Sequence, residues 1–373
     1  MTNASISILR QLIAFDTTSR NSNLSLIEWV ANHLSGCGAQ VELIYDSERS
    51  KANLLGSLGP AREGGIVLSG HTDVVPVDDQ EWTGDPFSLQ ERDGRLYGRG
   101  AADMKGFIAC ALAAASRWQS RAMQRPIHFA LSYDEEVGCL GAHSLVDRIS
   151  GSIPRPAFAI VGEPTDMRIG IAHNGVTGEH TRFRGCAAHA SDPSLGVNAI
   201  EAAAAFVCFL SGVAKLPEIA GSGCTLNIGR ISGGSATNIV AERCSMHWEY
   251  RTCGQRQLTV IRNLVGEYLG GNGLAALQVA REIELEVPYF CSNLDEQTLR
   301  ELTKLGAKLP LATLPFGSEA GIFELRQIPT VICGPGSINQ AHRPDEWIAR
   351  AALEEADRFL EGVITWASST TPA

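Results

Sequence analysis

Hydrophobic and polar positions follow one another along this chain in two textures. In the first, short and mostly apolar runs at residues 41–45, 53–58, 66–69, 127–133 and 157–161 read as strands, with 66–69 suited to a strand covered on both faces. Apolar residues at helical spacing predict helices over 5–15, 24–34, 105–118 and 142–149. Strands alternating with helices point to an α/β layer with a mixed or parallel sheet. The texture changes near Val176. Residues 178–184 alternate as a half-covered strand does. A helix over 198–210, strands over 225–231 and 243–251, a helix over 257–269 and a strand over 279–286 follow. That β-α-β-β-α-β order suits a small open-faced sandwich of the ferredoxin-like kind. From residue 294 the chain resumes with a helix, a strand over 329–333, a loop over 334–344 and a helix over 347–366; residues 368–373 read as a loose tail. The expected architecture is an α/β mixed-sheet domain of residues 1–176 and 287–373, into which an α+β domain of residues 177–286 is inserted.

A chain of 373 residues exceeds one small core, which fits two domains. The net charge of −10 argues against a nucleic-acid or anionic-membrane partner, because either would need a basic face. No basic segment followed by an apolar one opens the chain, so no secretory leader is expected. The longest nearly uncharged apolar stretch, 106–115, falls far short of the roughly 20 residues of a membrane span. The ten cysteines are scattered without a Cys-x-x-Cys pair, which suits reduced thiols in a cytoplasmic protein and suggests neither a zinc knuckle nor a redox pair.

Candidate chemistry gathers at strand ends. Gly70-His71-Thr72-Asp73 follows the strand 66–69, where open α/β sheets place ligand sites. Asp103 lies in a glycine-flanked turn that opens a helix. Asp134-Glu135-Glu136 follows one strand, Glu163 another, and His342 occupies the loop after 329–333. A single histidine there is more often structural, and paired acids are usually surface charge, but a carboxylate or imidazole at one strand end after another is hard to obtain from solvated loops. Because adjacent residues leaving a strand end diverge, one of Glu135 and Glu136 could bind metal while the other holds a proton. Histidine with carboxylates and no thiolate suits Zn2+, Co2+ or Mn2+. Two ions need about five protein ligands with one carboxylate between them; His71, Asp103, Glu136, Glu163 and His342 supply five.

These motifs resemble a known family. Ser69-Gly70-His71-Thr72-Asp73-Val74-Val75-Pro76, Tyr97-Gly98-Arg99-Gly100-Ala101-Ala102-Asp103-Met104-Lys105-Gly106, Asp134-Glu135-Glu136, Gly162-Glu163-Pro164-Thr165 and Ala341-His342-Arg343-Pro344-Asp345-Glu346 look like the zinc amidohydrolase family of acetylornithine deacetylase, succinyl-diaminopimelate desuccinylase, aminoacylase and glutamate carboxypeptidase. Trp82-Thr83-Gly84-Asp85-Pro86-Phe87 and Gly317-Ser318-Glu319-Ala320-Gly321 bring the chain nearest the acetylornithine deacetylase branch. The resemblance implies a zinc-peptidase-like catalytic domain, an inserted lid and dimerisation domain, and two divalent ions per chain, Zn2+ first and Co2+ or Mn2+ otherwise. Asp103 would bridge the ions, with His71 and Glu163 completing one position and Glu136 and His342 the other. Glu135 would be the general base, and Asp73 would orient the His71 imidazole. His189, in Gly185-Cys186-Ala187-Ala188-His189-Ala190-Ser191, would polarise the scissile carbonyl, typically from the partner subunit. Asn238 and Arg251 would grip the substrate α-carboxylate, arginine through its planar fork. The Asp103-Met104 peptide would be cis.

The implied activity is hydrolysis of the amide of N-acyl L-amino acids, N-acetylornithine first, in arginine biosynthesis by a cytoplasmic homodimer. Rivals in the same fold are a dipeptidase or carboxypeptidase and an N-succinyl-amino-acid desuccinylase; a rival of another class is a non-catalytic binding protein. Three departures bear on the substrate: His173-Asn174-Gly175-Val176 in place of His-Lys-Gly, Ser318 in place of threonine, and Arg251-Thr252-Cys253-Gly254 without the usual proline. Ser318 is accordingly a candidate substrate-binding residue. An acid stands where a Rossmann fingerprint needs its third glycine after Gly98 and Gly100, and no Gly-x-Ser-x-Gly elbow occurs.

Overall fold

A computed structural model describes residues 2–118, 121–271 and 274–369. The chain forms two compact units: residues 1–172, 291–314 and 318–373 make the first, and 173–290 with 315–317 the second.

The first unit opens with α1 (Thr2–Ile13), α2 (Leu24–Gly36), β1 (Gln40–Tyr45), β2 (Ala52–Leu58) and β3 (Ile66–His71). A small hairpin, β4 (Gln90–Arg92) and β5 (Arg95–Tyr97), precedes α3 (Lys105–Trp118) and β6 (Ile127–Ser132). Next come α4 (Leu140–Ser152), β7 (Phe158–Pro164) and β8 (Arg168–His173). The second unit consists of β9 (Gly175–Arg184), α5 (Ala199–Val213), the short α6 (Pro217–Ala220), β10 (Thr225–Gly233), β11 (Arg243–Thr252), α7 (Gln255–Leu269) and β12 (Gln278–Val287). The chain returns through β13 (Phe290–Cys291), α8 (Glu296–Leu305), β14 (Lys308–Leu314), α9 (Ala320–Leu325), β15 (Thr330–Gly334), β16 (Trp347–Ala349) and α10 (Arg350–Ser368).

The sheet of the first unit runs β1-β2-β6-β3-β7-β15-β8-β13, with β14 paired to β8. Its middle is parallel: β3 pairs with β6 and β7, and β7 with β15. β2 joins β6 and β1 antiparallel, so the sheet is mixed. β3, β6, β7 and β15 are buried at every residue, which explains their continuous apolar sequences. Twelve of the fourteen residues of α3 are buried, and α1 and α10 pack against it. A helix apolar on all sides has to be enclosed in this way. α3 also comes close to the sheet, for a Cβ at Gly162 would stand 2.0 Å from Phe107 Cδ1. Glycine is required there, directly before Glu163.

The second unit is a four-stranded antiparallel sheet in the order β10-β11-β9-β12, formed from a β-α-β-β-α-β chain. Phe183, Met246, Trp248 and Tyr250 form its core with Phe206 and Leu210 of α5 and Ile261 and Val265 of α7. Each such buried side chain contributes about 1.5–3 kcal/mol. β9 and β11 alternate buried with accessible residues, as a sheet covered on one face does.

Several expectations need correction. Trp347–Ala349 is not the first turn of the last helix but a strand paired with Arg95–Tyr97, and the helix begins at Arg350. Two β residues, Trp347 and Ile348, next to a ready partner edge outweigh the helical spacing that follows them. β8, β14 and the β4–β5 hairpin are strands where none was expected. Of the tail expected over 368–373, Ser368 closes α10 and residues 370–373 lie outside the described residues.

Candidate metal centre

His71 is the last residue of β3, and its imidazole is buried. Its Nδ1 lies 3.0 Å from the backbone carbonyl of Asp73, and since a carbonyl only accepts, Nδ1 carries the proton. Nε2 is therefore the nitrogen that can exchange its proton for a cation, and lies 3.0 Å from Asp103 Oδ1 and 3.6 Å from Glu163 Oε1. On the other side of Asp103, Oδ2 stands 3.4 Å from His342 Nε2, which is 3.0 Å from Glu136 Oε2. Asp103 thus has one oxygen toward each imidazole, and each imidazole has a second carboxylate beside it. Such an arrangement could hold two cations, with His71 and Glu163 on one side of Asp103 and His342 and Glu136 on the other.

The charges fit such ions. Burial raises Asp103, but hydrogen bonds to His342 and His71 outweigh it and hold the carboxyl below its ordinary range. Burial, with the charge of Asp103 adding, raises Glu136 to about 7 and pushes Glu163 well up. Glu135 is likewise raised well above the carboxylate range by burial. The hydrogen bonds to Asp103 and Glu136 lift His342 to about 10. Glu163 Oε1 is buried without a hydrogen-bond partner, so it has a lone pair to spare for a cation. Oxygen and imidazole nitrogen donors without sulfur suit Zn2+, Co2+ or Mn2+. Glu135 also reaches this cluster, with a carboxylate oxygen within 4.8 Å of ligand atoms of His71 and Glu163.

Asp73 orients His71 through its backbone carbonyl. Its carboxylate lies 3.7 Å from the ring and has another task. It accepts from the backbone N–H groups of Glu135 at 3.0 Å and Glu136 at 3.2 Å, and from Ser19 Oγ at 2.7 Å. Asp73 therefore fixes the turn that presents the two glutamates. Asp134 begins that turn with φ of 55°, and Lys51 Nζ holds its carboxylate at 2.5 and 2.6 Å. His342 has φ of 63°, a conformation rare outside glycine that points to local constraint. The loop carrying it is tied down by Gln80 Nε2, which donates to the His342 carbonyl at 3.2 Å.

Two carboxylates given no role in the sequence hold this scaffold. Glu346 is buried and accepts from the N–H groups of Gly100, Ala102 and Asp103 at 3.0, 2.9 and 3.1 Å, and from Arg99 Nη1 at 2.8 Å. It acts as the anion of a backbone nest that shapes the Asp103 turn. Gly100 in that turn has φ of 81° and no room for a Cβ, which would stand 2.8 Å from Val74 Cγ1. Glu319 accepts from Ser69 Oγ at 2.5 Å and Ser132 Oγ at 2.7 Å, spanning β3 and β6 just before their functional ends. Both lie inside motifs read for their neighbours. β16 pairs with β5 and so brings Glu346, the residue just before β16, to Arg99, two residues beyond β5. The Asp103-Met104 peptide is cis.

Ser318 is buried, and its Oγ accepts from Ala320 N–H at 3.3 Å at the start of α9. His189, Asn238 and Arg251 belong to the second unit. His189 and Asn238 lie on adjoining segments, with Ala190 N–H donating to the Asn238 carbonyl at 3.0 Å. His189 is exposed, and its Nδ1 accepts from Ser191 N–H at 3.1 Å. Arg251 is engaged with Glu249 at 3.1 Å.

Comparison with known proteins agrees with this geometry. Residues 67–366 match the model of peptidase family M20/M25/M40. Acetylornithine deacetylase of Pasteurella multocida is 35% identical over 362 residues, 92% of this chain and 91% of that protein. Among solved structures, aminopeptidase PepT of Bacillus cereus superposes with a TM-score of 0.77 over 99% of both chains at 22% identity. The Bacillus subtilis YXEP protein, described as a dinuclear metal-binding peptidase of the M20 family, superposes with a TM-score of 0.70 over 98% of both at 16% identity. The matched span includes all five expected ligands, and on that ground the chain belongs to peptidase family M20/M25/M40.

Proposed function

We propose that this protein is a dinuclear metal-dependent deacylase of N-acyl L-amino acids, with N-acetylornithine its first substrate. The observation that carries the reading is Asp103, set with one oxygen toward His71 and the other toward His342, each imidazole flanked by a further glutamate. Identity of 35% to an acetylornithine deacetylase over 92% of the chain supports the substrate class.

Two divalent ions in this centre would polarise the amide carbonyl and lower the pKa of the attacking water. The chain's own residues supply the rest. Glu135 takes a proton from the water as its oxygen adds to the carbonyl carbon. When the C–N bond breaks, Glu135 returns that proton to the departing amine. Burial raises its carboxyl well above the ordinary carboxylate range, so it holds a proton more readily than a solvated glutamate does. Asp73 keeps Glu135 in place by accepting from its N–H. His189 donates to the developing oxyanion, Asn238 and Arg251 bind the substrate carboxylate, and Ser318 is a further substrate-binding residue. Arg251 would exchange Glu249 for that carboxylate. The reading is completed by a homodimer in the cytoplasm acting in arginine biosynthesis. All ten cysteines are free, as a reducing compartment requires. No helix among the described residues is long and apolar enough to cross a membrane.

A dipeptide or N-succinyl substrate offers the same amide and carboxylate, so a substrate panel decides between them. Turnover is measured on N-acetylornithine, N-succinyl-diaminopimelate, N-acetylmethionine and a dipeptide, with bound metal determined in parallel. The expected result is two ions per chain and the highest kcat/KM on N-acetylornithine. A preference for the dipeptide would make the protein a peptidase, and zinc bound without hydrolysis of any of the four would end the deacylase reading.

A further inference from the structure

A second group of metal-ligating side chains lies in the second unit, and the proposed reaction makes no use of it. His180 on β9 stands directly opposite His247 on β11. Their imidazoles stack with centroids 4.0 Å apart and planes inclined by 16°. Glu284 comes from β12, on the other side of β9. The β12–β9 register shifts between Ile283 and Leu285, so Glu284 is the extra residue of a bulge, the device by which sheets re-aim a side chain. Its carboxylate spans both rings, with Oε2 2.9 Å from His247 Nδ1 and Oε1 3.4 Å from His180 Nδ1.

We propose that His180, His247 and Glu284 form a separate divalent-cation site in the second unit, of the two-imidazole, one-carboxylate class that takes Zn2+. Ligand atoms on one tetrahedral zinc with bonds near 2.0–2.1 Å sit about 3.3 Å from one another. The two nitrogen-to-oxygen separations fall on either side of that value, while the stacked rings must turn for both lone pairs, which lie in the ring planes, to meet at one ion. One nitrogen already presents its lone pair. Arg182 Nη1 lies 3.0 Å from His180 Nδ1, and because a guanidinium can only donate, that nitrogen is the acceptor. Metal binding needs the imidazole in this neutral form. The proton then sits on Nε2, which is buried and has no hydrogen-bond partner. The ring is thus committed to Nδ1 for any polar contact. Three ligands from three neighbouring strands leave a fourth position for water and would tie the strands together on their uncovered face.

Arg182 is a built-in competitor. It occupies the lone pair a cation would take, and Glu282 holds it there at 2.9 Å. Its side chain is half exposed and can swing away. This sets the site apart from a fortuitous surface cluster, because the competitor's removal has a predictable sign.

The test uses the full chain with its first-unit centre already saturated, dialysed against Zn2+ at neutral pH. The wild type should hold one equivalent more than His247→Ala, and Glu284→Gln should lose the same equivalent. Arg182→Ala should bind it roughly tenfold more tightly, the worth of one charge-assisted hydrogen bond. Zinc should raise the melting temperature of the wild type and not that of Glu284→Gln, a variant whose exposed side chain leaves the core untouched. Turnover and first-unit metal should not change in any of the three. Equal zinc in the wild type, His247→Ala and Glu284→Gln would overturn the proposal, and so would unchanged or weaker binding in Arg182→Ala.

Discussion

In the first unit, β3, β6, β7 and β15 are buried along their whole length, whereas β9 and β11 of the second unit alternate buried and accessible residues. The difference decides where each sheet can carry chemistry. A strand covered on both faces offers water only its ends, and there the first unit places His71, the Asp134-Glu135-Glu136 turn, Glu163 and the loop to His342. A strand covered on one face offers every second side chain, so His180 and His247 meet in mid-strand. Burial at the strand ends also explains the electrostatics, since it is the leading influence raising Glu135, Glu136 and Glu163. The half-covered sheet lacks that leverage.

The comparison can be tested by removing one group at a time. The largest effect should come from Glu135→Ala, which should cut kcat by about 10²–10⁴-fold while leaving metal content near the wild-type level. Activity within a few-fold of wild type would exclude Glu135 as the base. Next, Glu346→Ala strands three backbone donors and the buried Arg99 guanidinium, and should cost about 3–5 kcal/mol of stability together with most of the bound metal. Glu346→Gln, which keeps an acceptor, should recover part of both, and metal retention in the alanine variant would show that the nest does not shape the Asp103 turn. His189→Ala carries the comparison into the second unit. A fall in kcat of about 10²–10³-fold with an unchanged unfolding curve would show that this unit supplies chemistry as well as structure; an unchanged kcat would show that it does not.

The smallest effect is a pH dependence confined to the covered sheet. His128 is the second residue of β6, beside Ser57, and burial lowers it to about 4 from an ordinary 6.5. The unfolded chain takes up that proton near pH 6.5, and the folded chain only near pH 4. Stability should therefore be intact above about 6.5 and fall as the pH drops from there to 4, by up to about 3 kcal/mol. Urea unfolding of His128→Gln should show a shallower acid slope over that window. An identical slope would mean that the imidazole is solvated in the folded chain.

How much of this was legible in the sequence differs between the same two regions. The apolar runs of β3, β6 and β7 announce themselves because two-sided burial leaves no polar position to interrupt them. Edge strands do not. β14 contains Pro310, which fits a strand only at an edge, and depends on a partner that no local pattern reveals; β8 lies inside the sheet, but its exposed first residue, Arg168, and partly exposed later ones hide it. Trp347–Ala349 was hidden for the same reason. At the site, His71, Asp103, Glu136, Glu163 and His342 stood out as ligand types at strand ends. The groups that hold them did not. Glu346, Glu319 and the carboxylate of Asp73 look like ordinary surface acids until the fold brings backbone donors and hydroxyls to them.

The nest filled by Glu346 also has a consequence in time. The carboxylate that shapes the turn follows Asp103 by 243 residues. At roughly 5–20 residues per second, on the order of tens of seconds separate their emergence from the ribosome. For most of that interval the growing chain already displays His71, Asp103, Glu136 and Glu163 but has neither His342 nor the anion that fixes the loop. The Asp103 turn can therefore take its final shape only when synthesis is nearly over.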